Sequence, residues 1–78
     1  AFDVVALEPE AFAAWRAAQA APAAPADTAW KRAGLELFRR NGCGSCHAVR
    51  GTEHDGAVGP DLTHIGSRLT IGAGSYPN

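Results

Sequence analysis

The chain opens with AFDVVAL, a loosely alternating run rich in Val and Phe, and this pattern predicts a short strand. A single strand cannot satisfy its own backbone, so its sheet is expected in sequence preceding Ala1. The apolar period then lengthens. EPEAFAAWRAAQ predicts a helix, with Pro9 at the first helical position, where its missing N–H costs nothing. Glu8 and Glu10 suit the positive end of the helix dipole, and Leu7 is placed to staple onto Phe12. Phe12 and Trp15 share a face, which reads as a packing surface. In AQAAPAAPAD, Pro22 and Pro25 break any helix and no side chain is large enough to build a core. This is a semi-rigid linker, about 3 Å per residue, which holds its flanks roughly 20–25 Å apart at full extension.

A second helix is predicted over TAWKRAGLELFRRN, capped by Asp27. Trp30, Ala33, Gly34, Leu37 and Phe38 fall on one stripe, while Lys31, Arg32, Glu36 and Arg39 lie mostly elsewhere. Glycine within the stripe costs about 1 kcal/mol against alanine, which makes sense where another helix crosses closely. Asn41-Gly42 supplies a left-handed stop. Eight of the nine glycines lie from Gly42 onward, so the remainder is expected to be mainly loop, with short helical turns around DLTHIGS.

Seventy-eight residues fit one small domain, or one domain with the remnant of another. A net charge of −1 gives no electrostatic reason to expect nucleic acid or an anionic membrane as partner. No apolar run approaches the roughly 18–20 residues that span a bilayer. The N-terminus shows no basic segment leading into an apolar core, so no signal peptide is expected. With no methionine anywhere and an unpaired strand at its start, the chain is expected to be a piece of a longer protein.

Chemistry concentrates in CGSCH. Cys43 and Cys46 are the only cysteines, and His47 follows the second directly. A redox dithiol uses Cys-x-x-Cys at a helix N-terminus, whereas this motif follows a helix end with no strand-helix-strand pattern around it. A zinc-binding interaction module needs four ligands, two of them from His47, His54 and His64, and the last two lack the regular spacing of a second ligand pair. A buried pair or a plain disulfide is the remaining alternative. Covalent haem fits the spacing best, since thiols three residues apart match two vinyl groups on one porphyrin edge and His47 follows as the iron ligand. Downstream, VGPDLTHIGSR offers what such a histidine needs, an acceptor for its Nδ1–H. The Pro60 carbonyl is suited to that role, and Leu62, two residues on, is placed to lean on the porphyrin face.

These features resemble a class I cytochrome c. Gly34-x-x-x-Phe38 ahead of the motif resembles the family's first helix, whose small residue crosses the C-terminal helix. Gly59-Pro60-Asp61-Leu62 resembles the loop whose proline carbonyl receives the histidine's hydrogen bond, and Gly66-Ser67-Arg68 the segment where an arginine approaches a haem propionate. The matches cover residues 28–70. The order of FDVVALEPEAFAAWRAAQ, an Ala/Pro linker and the haem motif is similar to subunit II of caa-type cytochrome c oxidases.

That resemblance implies a mainly α, class I cytochrome c-like fold over residues 28–78, truncated at its C-terminus. Residues 1–19 would end a cupredoxin domain with a short strand and trailing helix, and 20–27 would be the linker. It also implies covalent haem c on Cys43, Cys46 and His47, with Pro60, Leu62 and Arg68 around it and His47 on the iron. The implied role is electron transfer towards a dinuclear copper centre for oxygen reduction, not catalysis by this unit itself. The copper ligands are expected only in the missing upstream part. The implied partners are the other subunits of a terminal oxidase, on the extracytoplasmic face of a bacterial membrane and attached to it only through the parent. The family's distal ligand, a methionine, is expected beyond Asn78, with His54 and His64 the nitrogen alternatives. A cytochrome c domain fused to a dehydrogenase is the other electron-transfer reading.

Overall fold

The computed structural model describes residues 2–78, and within them the regular structure is mainly helical. Ala1, the first residue of the expected strand, lies outside the described residues. Residues 2–8 join no ladder among the described residues. The composition of the segment favours a strand, but no second strand among the described residues pairs with it.

The chain divides into two compact units, residues 22–63 and the pair of segments 1–21 and 64–78. In the second of these, helix α1 spans Pro9–Ala20, with Pro9 at its start and Glu10 in its first turn, as the sequence predicts. It stops because Ala21 precedes a proline and is extended, φ −70° and ψ 152°. Phe12 and Trp15 stack with centroids 5.9 Å apart, and each stays about half exposed. His64 Nε2 lies 2.8 Å from the Ala21 carbonyl. A single 3₁₀ turn, Ile65–Ser67, leads into a hairpin of β1 (Thr70–Ile71) and β2 (Tyr76–Pro77), antiparallel with Ile71 opposite Tyr76. Asn78 fastens the hairpin base, its Nδ2 donating to the carbonyls of Ile65 and Arg68, both at 2.8 Å.

The other unit holds helix α2, Ala29–Arg40. Its cap is Thr28, not Asp27: the threonine hydroxyl accepts from the Lys31 amide at 3.1 Å, and Asp27 instead pairs with Lys31 Nζ at 3.0 Å. Arg39 and Arg40 occupy the last turn, where the dipole favours cations. Among the described residues none is fully buried, and Trp30 is 88% exposed on α2. The most enclosed part of this unit gathers instead around the loops that follow α2, including Phe38, His47, Val49 and His54.

Candidate functional site

The way α2 ends delivers the motif. The Asn41 amide and Nδ2 both return to the Leu37 carbonyl, at 3.0 and 2.7 Å, and the Gly42 amide reaches Arg39 at 3.1 Å. Gly42 then takes φ +69°, the left-handed stop the sequence predicts, and turns the chain out of the helix. Cys43–Ser45 forms a 3₁₀ turn closed by amides of Ser45, Cys46 and His47, the last two onto the Cys43 carbonyl at 3.2 and 3.0 Å. Both thiols are free, Cys43 half-buried and Cys46 exposed, so no disulfide joins them.

A second loop is laid beside the motif by backbone hydrogen bonds. The Gly59 amide donates to Cys46 at 2.7 Å and the Leu62 amide to Ala48 at 2.9 Å, while the Arg50 amide donates to Thr63 Oγ1 at 2.9 Å. This ladder brings the Pro60 carbonyl to 2.7 Å from His47 Nδ1. A carbonyl only accepts, so Nδ1 carries a proton, which in the neutral ring leaves the lone pair on Nε2. That is the state a metal-binding imidazole requires. Two free thiols and an imidazole in this state, supplied within five successive residues, form a donor set that fits covalent haem.

The turn after Pro60 is stiffened by Asp61. Its carboxylate accepts from the Thr63 amide at 2.8 Å, from the Thr63 hydroxyl, and from Arg50 Nε at 3.2 Å. The Thr63 hydroxyl and then its amide hold the Asp61 carboxyl below the usual range, with a smaller contribution from the Arg50 guanidinium. Asp-x-Thr is a local turn signature, and read as such it would have marked this brace in the sequence.

Three glycines make the close packing possible, and sequence reasoning treated them only as loop. A Cβ on Gly56 would lie 2.5 Å from the His47 amide nitrogen, and one on Gly59 would fall 2.7 Å from His47 Nδ1. On Gly44 it would lie 2.8 Å from His54 Cγ. None of the three has a positive φ, so what they contribute is the space left by a missing side chain. His54 itself is half of a pair with Phe38, ring edge to ring face at 4.9 Å, and its side chain is only 9% exposed. Its Nε2 is buried without a hydrogen bond.

Of the residues singled out in the sequence, Cys43, Cys46, His47, Pro60 and Leu62 therefore come together in one unit, whereas Arg68 belongs to the other. Leu62 is half-buried and Arg68 exposed, directly after the 3₁₀ turn. Among the described residues no three of His, Cys, Asp and Glu gather as a metal-binding group.

A sequence model of the cytochrome c family, described as "Cytochrome c", matches residues 32–77, more than half of the chain. Cytochrome c oxidase subunit 2 of Alkalihalophilus pseudofirmus is 34% identical over 70 residues. The match takes in 90% of this chain but spans only 20% of that protein's length. No solved structure matches significantly.

Proposed function

The chain belongs to the cytochrome c family, and from that premise we propose that it is the haem-carrying electron-transfer domain of a terminal oxidase subunit II. In this reading residues 1–19 end a cupredoxin-like domain, 20–27 link, and 28–78 carry the haem. Cys43 and Cys46 hold the group through thioethers and His47 Nε2 ligates its iron. When bound, haem c supplies a one-electron iron couple. The chain's own residues orient that group. The Pro60 carbonyl keeps the imidazole proton on Nδ1 and fixes the ring's plane, and Leu62 and Arg68 offer an apolar wall and a partner for a propionate.

The observation that carries the reading is the 2.7 Å contact between His47 Nδ1 and the Pro60 carbonyl beside two free thiols. The choice of an oxidase over another electron-transfer protein is supported by the similarity to cytochrome c oxidase subunit 2, which extends through the helix and linker ahead of the motif. The copper centre, the partner subunits and the attachment to the extracytoplasmic face all belong to the parent protein. No helix among the described residues is long and apolar enough to cross a membrane.

The test is rapid reduction of the purified parent complex, followed at the haem c band and at the near-infrared band of a dinuclear copper centre. Haem c should be oxidised as the copper centre is reduced, and deleting residues 28–78 should remove the haem band and keep the copper band. A parent that carries haem c but no copper centre would overturn the oxidase assignment while leaving the electron-transfer role intact.

A further inference from the structure

We propose that His54 is a positioning residue for the attachment motif. Its ring, wedged between Phe38 and Gly44, fixes the path of the Cys43–Cys46 turn so that both thiols are presented together. The proposal rests on the haem-attachment reading above and adds a residue outside the motif to it.

The ring holds its place without a hydrogen bond at Nε2, which is buried, and the nearest carboxylate oxygen, Glu53 Oε1, is 3.7 Å away. What the side chain contributes is therefore bulk, set against the Phe38 ring on one side and the bare Cα of Gly44 on the other. Its backbone is pinned as firmly. The His54 carbonyl accepts from the Val49 amide at 3.0 Å, its own amide donates to Thr52 Oγ1 at 3.1 Å, and that hydroxyl donates to the Val49 carbonyl at 2.6 Å. A ring on so constrained a backbone is a fixed stop. The turn that passes it has no freedom to sink inward at Gly44, and an added methyl there would overlap the ring.

This matters because attachment needs both thiols in register. Each thiol adds across one vinyl group: a carbon–sulfur bond forms at the ring-side carbon, the S–H bond and the π bond break, and the hydrogen passes to the terminal carbon. No electrons enter or leave. The two vinyl groups sit on one rigid edge, so a turn displaced between Cys43 and Cys46 presents one thiol correctly and not the other.

The experiment uses the full reading frame that contains this chain, matured in a host competent for c-type haem attachment, and haem itself as the probe. Four forms are compared with the native one: Gly44→Ala, His54→Ala, His54→Phe, and Gly44→Ala with His54→Ala. The readouts are the haem-to-protein ratio, the mass of the haem-bearing peptide, and the position of the reduced pyridine-haem band, which distinguishes one thioether from two.

Gly44→Ala should lower the ratio severalfold and shift the remaining product to a single thioether. His54→Ala alone should lower the ratio and give part single-thioether product, and His54→Phe should keep two thioethers. The double variant, in which the added methyl takes part of the space the ring leaves, should lose less than the two single changes together. Loss of stability alone would lower the yield but would not change the number of thioethers. Additive losses in the double variant, or two thioethers throughout in Gly44→Ala, would overturn the role of His54 while leaving haem attachment standing. A native form that carries no haem would overturn both.

Discussion

Gly59 lacks a side chain because the His47 ring occupies the space one would fill: a Cβ there would come within 2.7 Å of Nδ1 and 3.0 Å of Nε2. Gly59→Ala must therefore push the imidazole away from the Pro60 carbonyl or lift the loop off the Cys46 carbonyl. We expect a destabilisation of about 1–3 kcal/mol from this overpacking, read from denaturant unfolding, and a shifted imidazole nitrogen resonance. An unchanged Nδ1 resonance would show that the loop, not the ring, gives way. Two residues further on, Asp61 makes the same loop sensitive to acid. Hydrogen bonds from Thr63 hold its folded pKa below the unfolded value, so its contribution is fully present above the ordinary carboxylate range. That contribution is lost as pH falls through the lowered value. Asp61→Asn should flatten this part of the acid limb in a plot of melting temperature against pH, and an unaltered limb would rule Asp61 out as its source.

At the level of elements, the caps decide where α2 begins. Thr28→Ala removes the hydroxyl that accepts from the Lys31 amide and should cost about 1 kcal/mol by thermal unfolding, whereas Asp27→Ala should cost less, since it loses only an exposed ion pair. Gly34 gives the opposite sign. A Cβ there meets nothing within 4 Å, so Gly34→Ala should stabilise this chain by roughly 1 kcal/mol. In a longer parent where a helix crosses at Gly34, the same change should destabilise instead. Both helices were legible in the sequence because periodicity, Pro9 and Asn41-Gly42 all state local preferences. The choice between Asp27 and Thr28 was not, since either side chain can cap and the lysine one turn on decides between them. The β1–β2 hairpin was missed for a similar reason. Two-residue strands carry no alternation to detect, and its turn places Ala73 at φ +56°, a conformation that sequence rules reserve for glycine.

Across the whole molecule, the large apolar side chains remain at the surface: Trp30, Leu37, Leu69 and Tyr76 are all more than half exposed. Covering each would be worth roughly 1.5–3 kcal/mol, a large share of a small domain's stability. The chain without haem should accordingly show no cooperative transition in far-ultraviolet circular dichroism, so the unfolding shifts above belong to the haem-bearing form, and a sharp haem-free melt would refute this. The candidate site was legible in its donors, since Cys43, Cys46, His47 and Pro60 are named by motif, and the structure joins His47 to Pro60. The glycine contacts around it were not legible, because they depend on which surfaces meet after the 59–63 loop folds back. The joint between Gly42 and Cys43 has a further use in synthesis. Gly42 adopts a left-handed backbone, which is the geometry a mirror-image alanine prefers, and the residue that follows is a cysteine. The chain can thus be assembled from two peptides, 1–42 and 43–78, by thioester ligation at Cys43, with D-alanine at the seam locking the turn that presents the motif.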